Sequence, residues 1–326
     1  MKTSYYVQKI GIWGLIFLIL VALGVDADAQ TRKITSQFSH FQAYFNPGLV
    51  GYEGSTVRGF VRNQWAGMEG APKTFFFSTE VDFGEMAGLE DPALMGKNAI
   101  SASVLSESNG AFRENEFIIS YASRIRLSES HNLRLGAGVI HQSIRLDGNS
   151  LTWEEQNDPA FGDFIGQFSN LQVVDFNIGL AFTHKNYYFS YGIHRVNGGQ
   201  LAKGDKFIDG YPAEKMIQFG ARAPMTDQLA LITNGFYRSR KDLPEVIEFN
   251  VKALMMNKVW IGVGQRVSYA TNFNFGFLTP NMRIGYLYEL PVQKSYLMLG
   301  GTHEISAVIS LFKSNQPRYQ KEIPIW

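Results

Sequence analysis

The sequence contains no cysteine. That excludes a disulfide framework and any cysteine-ligated metal site. Net charge is almost absent as well: 30 basic and 29 acidic residues leave +1, with no basic tract. Nucleic acid is therefore not an expected partner. The six histidines are scattered, without metal-ligand spacing on one strand face, so no metal site is expected. Beyond position 23 no apolar run approaches the roughly 20 residues that a membrane helix needs. No Gly-x-Ser-x-Gly elbow occurs. His141 and Ser143 share a strand face, but so do Leu133, Leu135 and Val139, and that face points to lipid or the outer rim. Gly136, Gly138, Gly262 and Gly264 lie inside strand-like runs, where close packing explains them better than a phosphate loop does. Neither a catalytic residue nor a cofactor is expected.

What the sequence does contain begins with a leader. Lys2 and Lys9 precede an apolar run from Ile10 to Leu23, followed by Asp26-Ala27-Asp28-Ala29-Gln30. This order fits a cleaved signal peptide over residues 1–29, with cleavage after Ala29. The full sequence carries 14% aromatic residues and 45% hydrophobic residues. An exported, cysteine-free, aromatic-rich chain without helical spans suggests an outer-membrane β-barrel, in which only alternate residues face lipid.

Alternation of period two recurs from Ser55 to Phe312. Val57, Val61 and Trp65 share one face, and Arg58, Arg62 and Gln64 the other. Phe117, Ile119, Tyr121 and Ile125 alternate with Glu116, Ser120, Arg124 and Arg126. Phe176, Ile178, Leu180 and Phe182 form one apolar face, and Phe273, Phe275 and Phe277 another. About fourteen such runs occur, near 55–65, 73–83, 98–107, 114–127, 131–145, 173–184, 186–195, 214–223, 227–238, 244–256, 258–268, 270–278, 280–290 and 302–312. Several match the roughly 9–11 residues of a tilted membrane strand.

Connection lengths supply an orientation. If the first run leaves the periplasm, the turns at Ser128–Ser130, Lys185, Pro224–Thr226, Asn257 and Thr279 are periplasmic and short. The long stretches Leu146–Gln172 and Val196–Ala213 are then outer loops. Gly84–Lys97 is long and falls on the periplasmic side, as an excursion. An even strand number puts both termini of the mature chain in the periplasm. The expected fold is thus all-β, a transmembrane antiparallel barrel of about fourteen strands over residues 55–312. A lead-in at 30–54 is either a luminal plug, given the near-helical spacing of Phe38, Phe41, Tyr44 and Phe45, or a periplasmic approach. A polar periplasmic tail covers 313–326, with Phe312 closing the last strand.

Arg58, Arg62, Glu80, Asp82, Glu116, Arg124, Arg126, Arg134, Asp175, Arg222, Glu248, Lys252, Arg266, Arg283, Glu289 and Glu304 all fall opposite the apolar parity. An Arg or Lys turned to lipid near the midplane would cost about 2–4 kcal/mol, so parity points these charges inward. They form either a selectivity lining or an ion-pair network filling the lumen. The balance of signs favours the network. His303 and Glu304 are adjacent on a strand and face opposite ways, so they do not make an acid–base pair.

Three short elements occur in a fixed order: Asn46-Pro47-Gly48-Leu49-Val50-Gly51, then Arg62-Asn63-Gln64-Trp65, then Gly70-Ala71-Pro72-Lys73-Thr74. Near the other end stands Gly301-Thr302-His303-Glu304-Ile305-Ser306. With these, the chain resembles the PorP/SprF proteins of Bacteroidetes from about Gln37 to Phe312. One departure is Gly48, where that family usually has Ala. The resemblance implies a non-enzymatic outer-membrane component of the type IX secretion and gliding system. Its implied partners are outer-membrane lipid, periplasmic ring and lipoprotein components, and a large secreted adhesin or cargo held at the surface. From the residues alone, Arg62–Trp65 is either a docking surface or a structural corner, with Trp65 at the membrane interface. Trp153, Phe161, Phe164 and Phe168, set among acids, are the candidate outer contact. The rival function is a channel for small solutes, hydrophobic ones included; a third, an outer-membrane hydrolase, would need a nucleophile that the sequence does not display.

Overall fold

A computed structural model describes residues 35–88, 97–150, 164–184, 186–205, 211–292 and 300–312. The leader, the tail from 313, Trp153, Phe161 and Lys185 lie outside the described residues.

Fifteen strands run in chain order: β1 (Thr56–Asn63), β2 (Lys73–Asp82), β3 (Asn98–Asn109), β4 (Phe112–Arg126), β5 (His131–Asp147), β6 (Phe168–His184), β7 (Tyr187–His194), β8 (Leu201–Gly204), β9 (Glu214–Pro224), β10 (Leu229–Arg240), β11 (Leu243–Met255), β12 (Val259–Arg266), β13 (Ala270–Leu278), β14 (Met282–Pro291) and β15 (Thr302–Ser310). Consecutive strands pair antiparallel, except that the short β8 pairs with β6 and β9 pairs with β7. β15 returns to β1 and closes a cylinder of fourteen strands. Closure leaves no strand edge in the hydrocarbon and satisfies the backbone there.

Parity sorts the side chains as alternation requires. Phe117, Ile119, Tyr121, Ile125, Phe176, Ile178, Leu180, Phe273, Phe275 and Phe277 are exposed on the outer face. Of the charges assigned inward, all but Arg126 and Arg222 are buried. Those two sit near the ends of β4 and β9 on the side with short turns.

The turns there are brief: 127–130, 185–186, 225–228, 256–258 and 279–281. The opposite end has short turns at 110–111, 241–242 and 267–269 but also four long connections, 64–72, 148–167, 195–213 and 292–301, against one long connection, 83–97, at the first end; the excess of long connections makes it the outer end. After β2 the inner excursion begins with one helical turn, Phe83–Met86, capped by Asp82. Phe312 lies two residues beyond the end of β15 rather than within it.

On β5 and β6 the pattern inverts near the outer end. The apolar outer face stops at Val139 on β5 and Val174 on β6; beyond it stand His141, Ser143 and Arg145, and Gln172 and Asn170. Inward side chains become apolar, with Ile144, Leu171 and Val173 packed on Tyr211. Each strand has 17 residues. At about 3.4 Å per residue and a tilt near 40°, such a strand rises roughly 44 Å, against a lipid band of about 25 Å. The surplus forms a wall standing in water above the membrane.

Residues 35–54 fill the lumen. They comprise a 3-10 turn Phe38–His40, a helical turn Gln42–Phe45 and a second 3-10 turn Pro47–Leu49. Phe38, Phe41 and Phe45 pack on Phe60, Phe76, Phe236, Leu105 and Met216 from the wall. The near-helical spacing of aromatics read from sequence is a plug's inner core. The segment also has a direction. Thr35 touches Glu304, close to the outer start of β15, while β1 begins at the inner end. The described segment therefore runs from the outer end at Thr35 to the inner end where β1 begins.

Candidate functional site: the plugged lumen and outer mouth

The plug is held in three tiers. At the outer tier Arg62 forks between Glu289, 3.1 Å away, and Glu304, 3.0 Å away. Arg266 pairs with Glu248 at 3.0 Å and with Glu289 at 3.3 Å. Thr35 donates to Glu304, Ser36 donates to Glu289, and Arg266 donates to Ser36, each at 2.5 Å. The carboxylates thus answer two arginines and two plug hydroxyls, which is the condition for burying such groups. In the middle tier the aromatic cluster is flanked by Lys252, which donates to Ser39 at 2.9 Å, and by Tyr44, which donates to Glu116 at 2.7 Å. At the inner tier Arg58 bridges Glu53 (2.9 Å) and Glu80 (2.8 Å) and donates to the His40 carbonyl. Arg283 meets Glu53 at 2.6 Å.

The Asn46–Gly51 element is the seat of the inner plug. Asn46 accepts from Gly48 N–H at 2.8 Å and donates to the Leu180 carbonyl at 3.2 Å. Arg134 donates to the carbonyls of Gly48 and Val50, at 3.1 and 2.6 Å. This turn lies directly on Gly136, Gly179 and Gly192, which sit side by side on β5, β6 and β7. A Cβ at Gly136 would stand 2.2 Å from the Pro47 carbonyl carbon, and one at Gly179 would stand 1.9 Å from Asn46 Oδ1. Gly51 has φ +69°, donates to Glu80 at 2.8 Å, and a Cβ there would meet Ala99 at 2.4 Å. Only glycine fits these positions. At Gly48 a methyl group would meet Asn46 Oδ1 at 3.0 Å, a contact that alanine relieves by a shift of a few tenths of an ångström.

The other motif residues meet across the seam. In the β1–β15 ladder Arg62 pairs with Glu304 and Asn63 with His303. His303 faces out and shares a 2.7 Å hydrogen bond with Tyr286, while Glu304 is fully buried in the lumen. Gly301 makes room for the Tyr288 ring. Gln64 donates to the Pro72 carbonyl at 3.0 Å, the Gly70 carbonyl accepts from Gly110 N–H, and Thr74 donates to Glu107 at 3.0 Å. Trp65 departs from the expectation. Its φ of +48° takes it off strand parity, and instead of standing on the lipid face with Val61 it lines the outer mouth beside Arg266, Glu289 and Thr302.

Among the described residues a narrow cleft opens at the outer mouth between Tyr44, His194, Arg195, Glu214, Arg238 and Arg240. Arg195 pairs with Glu214 at 2.9 Å, and Arg238 with the same carboxylate at 3.2 Å. A second, smaller cleft adjoins Trp65. Sequence reasoning missed Arg195, Glu214, Arg238 and Arg240. Parity on β9 and β10 would have found the last three, but Arg195 sits where the strand breaks. There Arg195, Gly198 and Gly199 have positive φ. Asp175, expected in an ion pair, instead accepts from the N–H groups of Phe176, Asn197 and Gly199 at 2.7–2.8 Å. β8 then resumes pairing with β6.

Of the candidate outer contact, Phe164 is half-buried and its carbonyl lies against Gly148. Phe168 is the first residue of β6, exposed, with the Arg145 guanidinium 4.0 Å above its ring.

No curated protein matches the sequence significantly. Among solved structures, similar barrels include the Ralstonia pickettii toluene transporter TbuX, at 10% identity and TM-score 0.48, covering 83% of this chain and 92% of that one. The CymD monoaromatic hydrocarbon channel is 9% identical with TM-score 0.46, over 91% and 98% of the two chains. The Acinetobacter baumannii outer membrane protein Omp33 is 9% identical with TM-score 0.44, over 79% and 98%. Across residues 27–309 the sequence matches the family described as type IX secretion system membrane protein PorP/SprF. With its motif residues gathered at a barrel seam and a luminal plug, this chain belongs to the PorP/SprF family, as an outer-membrane β-barrel component of type IX secretion.

Proposed function

We propose that the protein is a non-enzymatic support of the type IX apparatus that holds an exported protein or adhesin at the cell surface, and is not a solute pore. The observation that supports this reading is the plug: residues 35–54 occupy the lumen from outer to inner end through buried hydrogen bonds at every tier. A path for solutes would need those bonds broken. The wall of β5 and β6, polar outside and rising beyond the lipid, offers a contact surface for cargo, together with the loop that joins them. The short inner turns and the Phe83–Met86 excursion face the periplasmic ring and lipoproteins.

Replacing residues 151–163 by a Gly/Ser linker tests the reading. The barrel should still fold, seen as heat-modifiable gel mobility, and the surface protein should be released into the medium. Full surface retention would refute the loop's role. Planar-bilayer recording decides between support and channel. The purified barrel should show no steady conductance, whereas a stable open pore would favour the solute-channel reading.

A further inference from the structure

The plug has a direction, and that direction fixes where the chain comes from. Its two ends lie at opposite levels of the barrel, although the stretch between them doubles back: the His40 carbonyl meets Arg58 in the inner tier, and Tyr44 then reaches Glu116 above it. Thr35 and Ser36 donate to Glu304 and Glu289, near the outer ends of β15 and β14. Gln37 accepts from Ser306, one pair of residues lower on β15. The carbonyls of Gly48 and Val50 accept from Arg134, near the inner end of β5. Tyr52 donates to the carbonyl of His184, the last residue of β6 at the inner end. The chain then turns into β1.

We propose that the amino terminus of the mature protein lies outside the cell, at the outer mouth of the barrel. Cleavage after Ala29 leaves positions 30 to 34 ahead of Thr35, or 34 − 29 = 5 residues. Fully extended, five residues span at most about 17 Å. The apolar band is about 25 Å tall, and the lumen beneath Thr35 is already filled by the plug itself. The terminus cannot reach back to the periplasm. The last and first strands must therefore close around a segment already threaded outward.

The absence of native cysteine makes the test clean. Three single variants are compared in whole cells with a membrane-impermeant maleimide: Thr31→Cys, Met68→Cys in the 64–72 outer loop, and Asp227→Cys in an inner turn. Thr31→Cys should label in intact cells to the same extent as Met68→Cys, whereas Asp227→Cys should label only after the outer membrane is permeabilised. The mass of the purified chain should correspond to a start at Gln30. Labelling of Thr31→Cys only after permeabilisation or unfolding, or a retained leader, overturns the proposal. If Met68→Cys and Asp227→Cys exchange behaviours, the barrel is inserted the other way and the outer terminus falls with it. Neither the loop replacement nor the conductance recording depends on where the amino terminus lies.

Discussion

Gly136→Val probes the seating of the plug without disturbing the membrane wall. A Cβ at this position would lie 2.2 Å from the Pro47 carbonyl carbon, 2.3 Å from its oxygen and 2.4 Å from Gly48 N. Ordinary contact needs more than an ångström beyond that, so the Asn46–Gly51 turn must lift from the sheet. Lifting breaks two hydrogen bonds from the Arg134 guanidinium, to Gly48 and Val50, and one from Asn46 to Leu180. Bonds from a charged donor contribute about 1.5–3 kcal/mol each and a neutral one about 1 kcal/mol. The loss is roughly 4–7 kcal/mol. At 1.4 kcal/mol per factor of ten, the loosened state becomes on the order of a thousand-fold more populated or more. Val is favoured in strands, so β5 itself should not weaken. The assay is chymotrypsin cleavage at Tyr44, Phe45 and Tyr52 in detergent, where proteolysis tracks the open population, with gel mobility reporting the folded wall. Ala137→Val, the next residue and on the lipid face, is the control and should match the wild type. Equal, slow cleavage of both variants would refute the description of the plug turn as seated on Gly136.

Three further outcomes follow from other tiers. Arg62→Met leaves Glu304 and Glu289 short of a partner and should cost about 3–5 kcal/mol in denaturant unfolding, while adding Glu304→Gln should recover part of it; no change in the single variant would mean that the fork carries nothing. Asp175→Ala removes the acceptor of the Asn197 and Gly199 N–H groups, so trypsin should cut at Arg195 faster while the barrel's unfolding midpoint stays near wild type. Ile178→Arg places a cation on the lipid face and should destabilise the folded barrel by about 2–4 kcal/mol, measured by folding into lipid vesicles; a neutral result would contradict the assigned parity.

The wall was legible in the sequence because a strand's period is local. Whether Phe176 faces lipid and Asp175 the lumen depends only on neighbours two residues away, and one-residue counting placed fourteen runs close to the observed strands. What stayed hidden depends on distant partners or on broken periodicity. Arg195 follows the end of β7 in a positive-φ turn, so no alternation extends to it. Trp65 leaves β1 through one positive φ, which sends it to the opposite face from the one counting predicts. The apolar inner surface around Ile144 and Val173 reads as a parity error until the height of β5 and β6 places it above the membrane. The plug's direction was invisible for a different reason. An even strand count speaks only of where strands start and stop, and says nothing of a segment that crosses the lumen before the first one.

The seam explains why the motifs stand far apart in the chain. A barrel closes only when its first and last strands find each other in register, and that pairing spans the whole sequence. Sliding β15 by one residue would turn Glu304 toward lipid and His303 inward. Sliding it by two would keep parity but move Glu304 away from Arg62, leaving a guanidinium and two carboxylates buried without their fork. Arg62 opposite Glu304 thus penalises both errors, and Thr35 and Ser36 add a requirement that the plug be in place, since their hydroxyls complete the same carboxylates. On this view Arg62, Asn63, His303 and Glu304 specify closure around a seated plug. On the proposed function, contact with exported protein would then fall to what they hold up, the tall wall of β5 and β6.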